Sequence, residues 1–133
     1  MKFFSVGEAN ALLPRLRVCF EMIRDLRKDL AHVEPNIQAA RERAPWGGGS
    51  PSGQAFVRLV LQFSRLTRAI ESMGVILKDV EVGLFDFPHH FEDRIVLLCW
   101  KHGEERIDWY HETDSGFAGR KPLDQDSEEF SES

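Results

Sequence analysis

Residues 94–123 read RIVLLCWKHGEERIDWYHETDSGFAGRKPL, and how this stretch pairs with itself decides the fold. Ile95 to Trp100 is an unbroken apolar run, suited to a central strand buried on both faces. Lys101-His102-Gly103-Glu104 can close a tight hairpin, so that Arg106 to His111 returns beside the first strand. With His102-Gly103 as the loop, Leu98 faces Ile107, Val96 faces Trp109 and Arg94 faces His111. One face then carries Val96, Leu98, Trp100, Ile107 and Trp109, an apolar surface able to cover helices. The other carries Ile95, Leu97, Cys99, Arg106, Asp108 and Tyr110. A slip of one residue would exchange the two faces, because side chains alternate along a strand.

Upstream, Leu84-Phe85-Asp86-Phe87-Pro88 predicts a short edge strand ended by the proline, which has no amide hydrogen for a ladder. His89 to Asp93 predict a polar turn. Earlier still the period changes from two to that of a helix. Phe56, Leu59, Phe63, Leu66, Ile70, Met73, Leu77 and Val80 follow one another in alternating steps of three and four. Leu12, Leu16, Cys19, Ile23, Leu26, Leu30, Val33 and Ile37 do the same, with mainly charged residues between them. This is the seven-residue repeat of a coiled-coil seam. Gly74, inside the second seam, points to a close backbone approach.

Two seams joined by one loop predict an antiparallel helical hairpin over about residues 12–80. The loop is Ala44-Pro-Trp-Gly-Gly-Gly-Ser-Pro-Ser-Gly53, which stops a helix. Pro35 should bend or end the first helix near Val33. Ahead of it, Ser5-Val6-Gly7-Glu8 fits a capping box, and a short helix should run to about Leu12 before Pro14. Phe20, Met22, Val57, Val60, Leu61, Val75 and Ile76 lie off the seams and need a second layer, either the sheet or another subunit.

The fold class expected is therefore α+β: a long, coiled-coil-like antiparallel helical hairpin with a small C-terminal antiparallel sheet at about residues 84–112. Residues 1–123 form one domain, and 124–133 read as an acidic, disordered tail. A length of 133 residues suffices for one core without staples. The formal net charge of −5 and the absence of a basic block speak against nucleic acid as a partner. No stretch is long and apolar enough for a membrane span. Cys19 and Cys99 lie far apart without CxxC spacing, which fits a reducing compartment and hence the cytoplasm. Both should pack as small hydrophobes.

LKDVEVGLFDFP, followed by LCWKHGEERIDWYHETDSGFAGRKPL, resembles the bacterial family known as domain of unknown function 2203, and the opening FSVGEANALLPRL is similar to that family's start. The resemblance covers nearly the whole chain. It implies a bacterial, cytoplasmic, single-domain protein, and it supplies no catalytic residues.

Two groups of residues could carry chemistry. His111, Glu112 and Asp114, with Asp86 brought near by the sheet, offer one imidazole and three carboxylates. Such a set could hold a divalent metal or act as a general acid or base, although its spacing matches no diagnostic metal motif. The plainer reading has His111 ending a strand and the two acids starting a solvated turn. Gly116, Gly119, Arg120 and Lys121 place exposed amides beside two cations and could cradle a small anion. The plainer reading there is a glycine-rich turn whose Phe117 plugs the core. His89-His90 would be solvated in a loop. Two function classes follow: an interaction or assembly module, with a homodimer expected from the surplus apolar positions, and a metal- or anion-binding protein that could be an enzyme.

Overall fold

The computed structural model describes residues 1–43 and 51–123; of the loop expected at 44–53, residues 44–50 lie outside the described residues and 51–53 instead open the second helix, and the tail expected at 124–133 also lies outside them. Helix α1 spans Val6–Arg43 and α2 spans Pro51–Ser72. Five strands follow: β1 Ile76–Asp79, β2 Leu84–Phe91, β3 Arg94–Lys101, β4 Trp109–Glu112 and β5 Lys121–Pro122. They form one antiparallel sheet in the order β1-β2-β3-β4-β5, a meander, so the fold is α+β.

The capping box closes α1 as its chemistry requires. The Ser5 amide donates to Glu8 Oε1 at 2.9 Å, and the Glu8 amide donates to Ser5 Oγ at 3.0 Å. The backbone runs on through both Pro14 and Pro35 as one helix, so the short helix expected to end near Leu12 is the first part of α1, and Pro35, expected to bend or end the helix, does not end it. At the other end of the helical layer the correction is larger. Leu77 and Val80 continue the seam spacing of α2, yet the helix ends at Ser72 and Ile76–Asp79 is a strand. Gly74 accounts for this: its φ of 87° lies in the left-handed region that terminates helices. The expected close approach is real, since a Cβ on Gly74 would sit 2.8 Å from Lys2 Cβ.

β2 also runs further than expected, passing through Pro88 and pairing over its whole length with β3. A proline is tolerated inside this ladder for a specific reason. β1 covers only Leu84, Phe85 and Asp86 of β2, so the side of the strand where the Pro88 donor is missing is open. The Phe4 amide uses that opening and donates to the Pro88 carbonyl at 2.8 Å. The turn to β3 is then only Glu92-Asp93.

The register of β3 with β4 differs from the expected one. Leu98 pairs with Tyr110 and Cys99 with Trp109, not Leu98 with Ile107. His102-Gly103 does make the expected turn, with the Glu104 amide donating to the Lys101 carbonyl at 3.0 Å, but no ladder follows it because residues 104–107 are held elsewhere. The Ile107 amide donates to Asn10 Oδ1 at 2.8 Å, Arg17 Nη2 donates to the Glu105 carbonyl at 2.7 Å, and Trp100 Nε1 donates to the Glu104 carbonyl at 2.9 Å. The shift is an odd number of residues, so Trp109 moves to the face opposite the helices.

One face of the sheet thus presents Phe85 and Phe87 from β2 and Val96, Leu98 and Trp100 from β3. These pack with Phe4, Leu13, Leu16, Phe20, Ile23 and Ile70 in a continuous buried core. Gly83, in the β1–β2 turn, has φ 75°, and a Cβ there would meet the Phe20 ring and His102 Cβ at 2.8 Å. Replacing Gly83 by alanine should cost about 2 kcal/mol or more in urea unfolding, because both the backbone conformation and the space exclude a side chain. Ser5→Ala should cost about 1 kcal/mol through loss of the cap.

Candidate functional site

The face of the sheet away from the helices carries the polar chemistry. The Glu92-Asp93 turn places Asp86 opposite Cys99, and the β3–β4 register places Trp109 beside Cys99 and His111 beside Leu97. His111 then reaches across β3, and its Nε2 lies 3.1 Å from Asp86 Oδ1. Its other ring nitrogen, Nδ1, is 2.8 Å from the Glu112 carbonyl. A carbonyl only accepts, so Nδ1 carries a proton. Asp86, Cys99 and His111 are all buried. Their ligand atoms, a carboxylate oxygen, a thiol sulfur and an imidazole nitrogen, lie within 4.8 Å of one another. Oδ2 of Asp86 is buried and makes no hydrogen bond among the described residues.

Arg120 closes this region. Its Nη1 is 4.0 Å from Cys99 Sγ, and its guanidinium donates to both Glu104 oxygens at 3.2 and 2.8 Å. The Trp109 and Phe117 rings flank it, with centroids at 4.6 and 4.4 Å. Burial opposes the charge of Arg120 most strongly, but the hydrogen bonds to Glu104 and Cys99, together with the charge of Glu104, outweigh it and hold the pKa above the usual value. Burial, and next the charge of Asp86, push the Cys99 thiol up to about 11. Burial likewise raises Cys19, and neither cysteine is in a disulfide.

Among the residues singled out from sequence, Asp86 and His111 come together. Glu112 follows His111 on a strand and so faces the other way, pairing with Arg94 at 2.9 Å. Asp114 is exposed; together with Arg94, Ile95, Glu112 and Thr113 it lines an open depression apart from the buried cluster. Arg120 and Lys121 lie over different faces, Lys121 standing over the Tyr110 ring. Gly116 and Gly119 bracket a 3-10 turn at Phe117–Gly119, closed by the Gly119 amide on the Gly116 carbonyl at 2.8 Å. His89 and His90 lie on β2, not in a loop. His89 is buried with Nδ1 donating to the Phe4 carbonyl at 2.7 Å, and His90 stacks on Phe3.

Sequence reasoning missed Cys99 and Glu104. Cys99 could have been found: once Phe91 pairs with Arg94, counting back along both strands sets Asp86 against Cys99. Glu104 had no such signal, because its role depends on the path of an irregular loop.

A second feature lies on the helices. Val18, Met22, Val57, Val60 and Leu61 are exposed. Beside them, a groove between α1 and α2 is lined by Met22, Asp25, Leu26 and Asp29 on one helix and Gln62, Arg65 and Leu66 on the other. Its α1 wall is acidic and its α2 wall basic, and none of Asp25, Asp29 and Arg65 makes an ion pair among the described residues.

These features define a class: two packed helices laid on one face of a five-stranded meander, with a buried polar cluster on the other. The chain belongs to the family of uncharacterised conserved proteins DUF2203, which it matches over residues 2–123. No curated protein and no solved structure matches it. Among the described residues, no helix is long and apolar enough to cross a membrane.

The raised pKa of Cys99 has a measurable consequence. A thiol held neutral in the folded state contributes stability that is complete below its ordinary pKa near 9.0 and is lost as pH rises toward about 11. Unfolding free energy of the wild-type chain should therefore fall across that window more steeply than that of Cys99→Ala. Equal slopes for the two chains would contradict the assignment.

Proposed function

We propose that this protein is a small self-assembling interaction module, a homodimer formed through the exposed face of its two helices. α1 and α2 are taken as the antiparallel, coiled-coil-like hairpin that their seams imply, and two unpaired cysteines fit the cytoplasm of a bacterium. The observation that carries the reading is the exposed apolar face with a charged groove beside it. Monomeric proteins rarely leave apolar side chains clustered on one surface without a partner for them.

The occupant that fits is a second copy. Val18, Met22, Asp25 and Asp29 follow one another at helical spacing, as do Val57, Leu61 and Arg65. A two-fold axis over the groove would bring the acidic stripe of each chain onto the basic stripe of the other, with Met22 and Leu61 between them. Length supports this arrangement too. α1 extends roughly 57 Å, whereas β3, with eight residues, extends roughly 27 Å, so much of the helical layer has no sheet beneath it. Leu30, Val33, Phe56 and Leu59 in that part are only half-buried.

The small-anion reading of Gly116, Gly119, Arg120 and Lys121 is weaker, because Glu104 and two aromatic rings already hold the guanidinium of Arg120. The buried cluster is enclosed on all sides and offers an organic substrate no opening, which argues against catalysis there.

Light scattering at high micromolar concentration should give twice the 15.3 kDa chain mass. Leu61→Lys and Met22→Lys, both at exposed positions, should give the single-chain mass with unchanged helical circular dichroism. A wild-type chain that scatters as one copy at that concentration removes the proposal.

A further inference from the structure

We propose that Asp86, Cys99 and His111 form a binding site for one transition-metal ion of the zinc type, enclosed between strands β2, β3 and β4. The site is independent of the helical face and would exist in monomer and dimer alike.

Three features of the geometry support it. First, the three side chains come from different strands and converge on the same enclosed space, with their ligand atoms within 4.8 Å of one another. Second, the polarity of the cluster leaves a cation-shaped gap. Nδ1–H of His111 donates a hydrogen bond to the Glu112 carbonyl, so Nε2 turns toward Asp86 Oδ1 either as a lone pair or with a second proton. If it is a lone pair, two acceptors face each other at 3.1 Å and require a positive centre between them. Oδ2 of Asp86 is buried and has no hydrogen bond among the described residues, a costly state for a carboxylate oxygen that coordination would relieve. Third, an outer shell is in place. The Glu112 carbonyl accepts from Nδ1 and fixes the ring of His111, as backbone carbonyls do for metal-bound histidines. The charge of Arg120 beside Cys99 is offset by its double contact with Glu104.

The donor set selects the ion. One sulfur and one imidazole nitrogen with a single carboxylate suit Zn(II), Co(II) or Fe(II). Calcium and magnesium take six or more oxygens, which this enclosure cannot supply. The alternative occupant is a proton, giving an imidazolium–carboxylate pair in which Cys99 plays no part.

Co(II) separates the two, because thiolate ligation gives an intense near-ultraviolet charge-transfer band. Co(II) chloride would be titrated into the untagged, chelator-treated full-length chain, and also added before refolding from urea so that slow uptake does not hide the site. The site predicts saturation at one equivalent with that band, its loss in Cys99→Ala, and affinity weakened in Asp86→Asn. Removing a group that only hydrogen-bonds to a metal ligand costs about 10- to 100-fold in metal affinity, so loss of a ligand should cost at least about 100-fold. Circular dichroism confirms that each variant is folded, and Leu61→Lys, distant from the cluster, should bind as the wild type does. No uptake by either route overturns the site. So does uptake without the band, or uptake unchanged by Cys99→Ala, which would place the ion elsewhere.

Discussion

Everything on the sheet depends on the register of the β2–β3 hairpin. Its turn is Glu92-Asp93, and with Phe91 opposite Arg94 the whole ladder follows, down to Leu84 opposite Lys101. Alternation then assigns every side chain to a face. Phe85, Phe87, Val96, Leu98 and Trp100 go toward the helices and form the core, while Asp86 and Cys99 go to the other side as neighbours. A slip of one residue would drive the carboxylate of Asp86 into the packing between sheet and helices and expose the aromatic rings. The cost of burying an unpaired charge there would be several kcal/mol, so hydrophobic packing on one face enforces the polar cluster on the other.

Much of this was legible in the residues. The seams of three and four located both helices, Ser5 and Glu8 announced the cap, and the apolar run Ile95 to Trp100 identified the central strand. What was not legible has physical causes. Ile76 to Val80 satisfies a helical spacing and a strand propensity at once, and the left-handed Gly74 decides between them. Pro88 reads as a strand terminator unless it is known that β1 stops short of it. The β3–β4 connection was misjudged because Asn10 and Arg17, almost a hundred residues away in sequence, hold residues 104–107. Local turn chemistry cannot foresee such contacts. The same error in register sent Trp109 to the wrong face, whereas Cys99 was missed because β2 was ended at Pro88 and so was never paired with β3 back from Phe91 and Arg94.

The two sides of the molecule point to different roles. The buried cluster is small, closed and crossed by the Arg120–Glu104 pair, features of a site that holds something in place. The helical side carries exposed apolar side chains on both helices, and a groove between them has its charges divided between its two walls. In the proposed dimer each α1 faces the partner's α2, so acidic and basic walls meet rather than like charges, and this gives the assembly proposal its specificity.

That arrangement can be tested by exchanging the charges. Asp25→Arg with Asp29→Arg makes both walls of one chain basic, and Arg65→Asp makes both walls of another acidic. Each variant alone should scatter light as a single copy, because like charges would meet across the two-fold axis, and an equimolar mixture should recover the dimer mass as a heterodimer. Variants that dimerise on their own, or a mixture that stays monomeric while the unmodified chain dimerises, would contradict the proposed pairing of the helical faces.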